Sequence, residues 1–150
     1  MKNFRAPQSQ IHVIARAILF QEENIVLCRV KGEEKFFLPG GHVENGETVK
    51  QALLRELQEE IGVYEYQIGT LAGVCEGIFS SEENTFQQEV NLLFEVHMPE
   101  GKIGSREDHI EFIHIDKASI GKHDIMPHGI KEGIIEWLGR RVPFFREFQD

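Results

Sequence analysis

The chain has 150 residues, 41% hydrophobic and 27% charged, the proportions of a soluble globular domain and not of a disordered or fibrous chain. A chain of this size buries roughly 70% of the surface it exposes when unfolded, so a core can hold it without covalent staples. Sixteen Lys and Arg against 25 Asp and Glu leave a formal net charge of −9, which excludes attachment to nucleic acid or an anionic membrane through a broad positive field.

The apolar-leaning run from Ile11 to Ile18 is broken by His12 and Arg16, and no small-residue cleavage site follows it. A secretory signal is therefore not expected, and no stretch reaches the roughly 20 apolar residues of a membrane span. Cys28 and Cys75 form no CxxC pair and read as small core hydrophobes. A single domain over residues 1–150 in a reducing cytoplasm is the expectation.

In chain order, Ile11 to Phe20 reads as a strand, Gln21 to Asn24 as a polar turn, and Ile25 to Val30 as the returning strand of a hairpin. Phe36 to Leu38 is a short apolar run stopped by Pro39-Gly40-Gly41, which reads as a loop. Thr48 to Ile61 is built from good helix formers, with Gly62 at the place of a left-handed stop. Ile68–Phe79 and Phe86–Met98 read as strands around a polar turn at Ser80 to Asn84. In the second, Val90, Leu92, Phe94 and Val96 alternate with Glu89, Asn91, Leu93 and Glu95, the pattern of a sheet with two different faces. A charged loop from Pro99 to Asp108 leads to a short strand, Glu111 to Ile115. Pro127 opens a second helix in its favoured first turn, with Ile130, Ile134, Trp137 and Leu138 on one stripe and Gly139 closing it. The tail from Arg140 to Asp150 carries Phe144, Phe145 and Phe148 without a clear period.

The first helix carries the chemistry. At about 100° per residue, Glu56, Glu59 and Glu60 share an arc of about 100°, directly beside the stripe of Leu53, Leu57 and Ile61. Like charges at this spacing repel, and partial burial raises the cost of each ionised form. A hard divalent cation removes the conflict, because magnesium takes oxygen ligands and suits two or three carboxylates plus a substrate phosphate. The Gly40-Gly41 pair ahead of the helix lets backbone approach an ion or phosphate closely. An acidic helix face is more often simply solvated, so helix and glycines alone do not decide the matter.

The spacing adds specificity. Gly41, five residues, Glu47, seven residues, then Arg55-Glu56-Leu57-Gln58-Glu59-Glu60-Ile61-Gly62-Val63 resembles, at every fixed position, the box of the Nudix hydrolases. The resemblance implies an α/β fold, an α/β/α sandwich with a mixed sheet. It also implies MutT-like hydrolysis of a nucleoside diphosphate linked to a further group, with Mg²⁺ or Mn²⁺. Glu56, Glu59 and Glu60 are then the expected metal ligands, with the backbone carbonyl of Gly40 or Gly41 as an additional one. Glu56 is the expected base for the attacking water, and Glu47 and Arg55 pair as structural supports. Members of the family recruit a further carboxylate from a strand or loop. Glu89 is the first choice, ahead of the Glu107, Asp108, His109 and Glu111 cluster.

Gly40, His42 and Glu111 are expected to face substrate. His12, His97, His114, His123 and His128 follow no metal-ligand spacing and read as surface or satisfied polar groups. Phe79 and Phe86 flank a loop where a base could stack, although aromatic residues are more often core. Beyond the box, Ile78 and Phe79 stand where ADP-ribose hydrolases carry a proline, and Ser80 stands near the tyrosine of dinucleoside-polyphosphate hydrolases. By elimination, the expected substrate is a nucleoside triphosphate cleaved to release pyrophosphate. The alternatives are ADP-ribose, nucleotide-sugar or dinucleoside-polyphosphate hydrolysis, a nucleotide-sensing module that does not cut, and an isomerase using a cysteine. A small nucleotide is the expected partner, with a homodimer through the Phe144-Phe145-Phe148 tail as a possible assembly.

Overall fold

The structure is a computed structural model that describes residues 10–80 and 86–149. The elements are β1 (Gln10–Gln21), β2 (Asn24–Val30), β3 (Phe36–Phe37), β4 (Gly40–His42), α1 (Val49–Glu60), β5 (Gln67–Ser80) and β6 (Phe86–His97). They continue with β7 (Ile110–Asp116), a 3-10 turn (Lys117–Lys122), β8 (Ile125–Met126), α2 (Ile130–Arg140) and β9 (Phe144–Gln149). The strands form one mixed sheet in the order β8-β3-β2-β1-β6-β5-β9, with β4 added to β1 and β7 to β2. β1 runs parallel to β6 over a long register from Gln10↔Gln87 to Phe20↔His97, and β5 pairs antiparallel with β6 and parallel with β9.

Period-2 patterning divides the core into two layers, because alternate residues of a strand point to opposite faces. Ala15, Ala17 and Leu19 of β1 join Phe94 and Val96 of β6 beneath Ala52, Leu53 and Leu57 of α1. Ile18, Phe20 and Leu93 face the other way, onto Ile130, Ile134 and Trp137 of α2. The result is the α/β/α sandwich. Thr48 caps α1 through a reciprocal box, its hydroxyl accepting from the Gln51 N–H while the Gln51 side chain accepts from the Thr48 N–H.

Several elements differ from the sequence reading. The β1–β2 turn is only Glu22-Glu23, because Gln21 and Asn24 pair with each other. Gln21 belongs to the strand since its buried side chain donates to Pro99 O at 2.7 Å and Gly101 O at 2.8 Å. Gly40–His42 is a strand paired with β1, not a free loop. Pro127 lies ahead of α2, which starts at Ile130 after Gly129 in a left-handed conformation. The helix runs past Gly139 and ends at Arg141, also left-handed, whose guanidinium lies 4.1 Å over the Trp137 ring and grips Glu95 with bonds of 2.8 and 2.9 Å.

The tail forms β9. Its Phe144 ring fills the space left by Gly73 of β5 and Gly133 of α2, where an added Cβ would stand 2.4 and 2.3 Å from ring carbons. Phe148 packs edge-on against Phe79, whereas Phe145 is 62% exposed. Phe86 is also exposed, so of the two aromatic residues read as core only Phe79 packs inward. Both cysteines are buried. Most of the turn expected at Ser80 to Asn84, and the terminal Asp150, lie outside the described residues.

Candidate active site

The site forms where β4 meets α1. Gly40 lies opposite Arg16, and Gly41 opposite Ala15, across the β1–β4 ladder. A Cβ on Gly40 would stand 2.0 Å from the Ala15 carbonyl oxygen, so only glycine permits this strand to close on β1. A Cβ on Gly41 would stand 2.4 Å from the Glu56 carboxyl carbon. The missing side chain is the seat of the Glu56 carboxylate against the backbone, one turn ahead of Glu60.

Arg55 organises the acids. Its Nε and Nη2 donate to the two carboxylate oxygens of Glu47 at 2.7 and 2.9 Å, a bidentate fork of the strong, geometrically specific kind. Nη2 also donates to His42 O at 3.0 Å, and Nη1 reaches Glu56 Oε1 at 3.0 Å and Glu59 Oε2 at 3.5 Å. One guanidinium thus joins the loop before α1, the β4 backbone and two acids of the helix. Its partners push the Glu47 carboxyl below its ordinary value and the guanidinium still higher.

Glu60 has the opposite environment. Burial pushes its carboxyl up to about 8, and the neighbouring Glu56 charge adds to this, against a backbone hydrogen bond from Gly40. Glu107 also raises it, from a loop tethered to the helix end by Arg106 N–H to Glu60 O at 2.9 Å. A crowded carboxyl that resists ionisation beside a second carboxylate and two glycine peptides is a donor set that suits a hard divalent cation. Among the described residues, no three His, Cys, Asp or Glu side chains already converge as a metal cage.

The residues outside the box are distributed differently. Glu89 lies beside His12 in the β1–β6 register, and its Oε2 accepts from Asn91 Nδ2 at 3.3 Å. Glu107 acts on Glu60 from outside the helix. Glu111 pairs with Arg29 at 2.5 Å across β2 and β7. His42 meets His12 ring to ring, nitrogen to nitrogen at 3.1 Å. His97 pairs with Glu95 at 2.9 Å, while His114 is bonded to Gln21 at 2.5 Å and His123 to Ser119 O at 3.1 Å. Cys28 donates to Phe37 O and Cys75 to His128 O, and burial pushes the Cys75 thiol up to about 11.

Sequence reasoning passed over Arg16. Its side chain bonds Asn91 and the Leu38 carbonyl on the same sheet face as His12. The available signal was an arginine between Ala15 and Ala17, at an inward position in the otherwise apolar stretch from Val13 to Phe20.

The NUDIX domain family model matches residues 10–138, and the chain belongs to that family. It is 40% identical over 60 residues to the 8-oxo-dGTP diphosphatase of Proteus vulgaris, covering 37% of this chain and 54% of that protein. It is 28% identical over 113 residues to the ADP-ribose pyrophosphatase of Methanocaldococcus jannaschii, covering 73% of this chain and 64% of that one. The chain thus spans about half to two thirds of the length of these curated relatives. The fold matches a MutT protein from Bacillus halodurans with a TM-score of 0.72 at 18% identity, over 92% of this chain and 89% of that one.

Proposed function

We propose that this protein is a metal-dependent pyrophosphohydrolase acting on a nucleoside diphosphate–X, and specifically on a normal or oxidised nucleoside triphosphate, from which it releases pyrophosphate. The observation that carries this reading is the seating of the Glu56 and Glu60 carboxylates against the Gly40-Gly41 backbone, with Arg55 fixing the helix to that strand. Glu56, Glu59, Glu60 and the Gly41 carbonyl would hold the cation, with Glu107 in the outside position first expected of Glu89. A bound divalent cation supplies charge neutralisation of the diphosphate and activation of water. Glu56 accepts the proton of the attacking water through the oxygen that Arg55 leaves free. Glu47 and Arg55 keep that carboxylate in place. The partner is a small nucleotide, the domain is residues 1–150, and the location is the cytoplasm.

ADP-ribose hydrolysis is the second reading, favoured by the archaeal relative that matches over 73% of this chain. Product release from a panel of nucleoside triphosphates, oxidised dGTP, ADP-ribose, nucleotide sugars and dinucleoside polyphosphates, with Mg²⁺, separates the two. Pyrophosphate from the triphosphates, lost in Glu60→Gln, is the expected result. AMP and ribose phosphate from ADP-ribose alone would replace it with the second reading. A folded, metal-binding protein inert on the whole panel would overturn both.

A further inference from the structure

Arg16 is an expensive residue for the position it holds. It sits in β1 between the fully buried Ala15 and Ala17, opposite Gly40 on one side and Leu93 on the other. Its Nε donates to Asn91 Oδ1 at 2.8 Å and its Nη1 to Leu38 O at 3.0 Å. Among the described residues it makes no ion pair. Its hydrogen-bond partners are neutral and the carboxylates of Glu89 and Glu60 act on it only without contact, so the cation is incompletely compensated, since charges leave water at high cost unless paired. Burial accordingly lowers its pKa. A methionine of similar length would pack there more cheaply, so core packing alone does not account for the guanidinium.

The remaining terminal nitrogen, Nη2, has no partner among the described residues, yet none of those residues has an enclosed side-chain nitrogen or oxygen left unsatisfied. Nη2 is therefore open, a donor held by two hydrogen bonds on the same guanidinium. The amide that fixes it also fixes an acceptor. Asn91 is fully buried, and its Nδ2 donates at 3.3 Å to both Cys75 O and Glu89 Oε2. Glu89 is only half-buried and uses one oxygen in that bond, leaving carboxylate lone pairs free. One buried asparagine thus presents an open donor on Arg16 and an open acceptor on Glu89, one strand from the Gly40 peptide that bonds Glu60.

We propose that Arg16 and Glu89 are specificity-determining residues that read the edge of the substrate's base, accepting a ring carbonyl beside a ring N–H. Guanine, hypoxanthine and uracil carry that acceptor–donor order, while adenine and cytosine carry the reverse. The wrong order sets the base's N–H groups against a guanidinium and its ring nitrogen against a carboxylate. Rejection then comes from repulsion and from buried polar groups left unpaired. This assignment rests on the proposed hydrolysis of nucleotides, deepening it from a phosphate chemistry to a choice of base.

The experiment compares KM and kcat for GTP, ITP, UTP, ATP and CTP with Mg²⁺, and binding of GMP and AMP by calorimetry without metal. It uses the full chain, Arg16→Met, Glu89→Gln and a thermal melt of each. The expected result is a preference for the carbonyl-edged bases on the order of tenfold or more, expressed in KM and in GMP over AMP binding. Both variants should bring that ratio close to one. Glu89→Gln keeps the test open if loss of the Arg16 charge disturbs folding, because Glu89 is half-buried and replaced by a near-isostere. An undiminished preference in folded Glu89→Gln, or a wild type that favours ATP and CTP, overturns the proposal. If no nucleotide is hydrolysed at all, the hydrolase reading fails on its own. The GMP and AMP titrations then decide this one separately.

Discussion

Arg55 and Glu60 show how the same acidic helix creates two opposite environments. Arg55 is shared by Glu47, Glu56, Glu59 and the His42 carbonyl, so Arg55→Ala leaves several acceptors without their donor. The expected cost is about 1–3 kcal/mol in urea unfolding, with a larger loss of turnover as Glu56 loses its position. Arg55→Lys should rescue little, because an ammonium cannot fork to Glu47 while reaching Glu56. Full activity in the lysine variant would show that charge alone suffices. Glu60 gives a pH dependence. Its carboxyl is raised from 4.5 to about 8 in the folded protein, so between those values the native state binds more protons than the unfolded chain. Stability of the metal-free protein is then complete below pH 4.5 from this group and declines as pH rises toward 8, by an amount on the order of a few kcal/mol. Glu60→Gln should flatten that slope, and magnesium should offset it. A metal-free melt that rises with pH through this window, with the slope unchanged in Glu60→Gln, would contradict the burial of this carboxyl.

At the level of elements, the β9 rings depend on three glycines of other elements, Gly73 and Gly77 of β5 and Gly133 of α2. Gly133 lies inside α2, where replacement by alanine ordinarily gains about 1 kcal/mol. Here the new Cβ would stand 2.3 Å from the Phe144 ring, so Gly133→Ala should destabilise, reversing the usual sign. Combination with Phe144→Ala should be less costly than the two losses added together, as expected for residues in direct contact. A stabilised Gly133→Ala would show that the ring has somewhere else to go. The same contact explains what the sequence could and could not tell. Elements set by local pattern, such as α1 with its Thr48 cap and the alternation in β6, were legible because their information lies within a dozen residues. The α1 acids and the Glu47–Arg55 spacing were legible for the same reason. β9 was not, since a parallel strand at a sheet edge is specified by a distant partner with Gly73, Gly77 and Gly133 absorbing its rings. Gly139 misled because Arg141 can take a left-handed end when Trp137 and Glu95 hold its side chain. Arg16 was passed over because its meaning comes from Asn91, on a strand much later in the chain.

For the whole molecule, the two layers differ in what they carry. The α1 layer supplies the acids and the β4 backbone, while the opposite face supplies Arg16, Asn91 and Glu89 over a core closed by α2 and β9. β1 belongs to both, with Ala15 under the helix and Arg16 facing away from it. The pairing of Gly40–His42 with Ile14–Arg16 carries this further. Segments that bind ligands often open on their own at low free energy, apart from global unfolding. A segment laddered into the central strand and crossed by Arg55 has no such independent hinge. Amide hydrogen exchange at Gly41 and Val43 should therefore approach the slowest rates of β1 itself even without metal, and magnesium should slow both strands together. The Gly40–His42 backbone beside Glu56 and Glu60 would then be assembled once, when the chain folds, and not anew with each turnover.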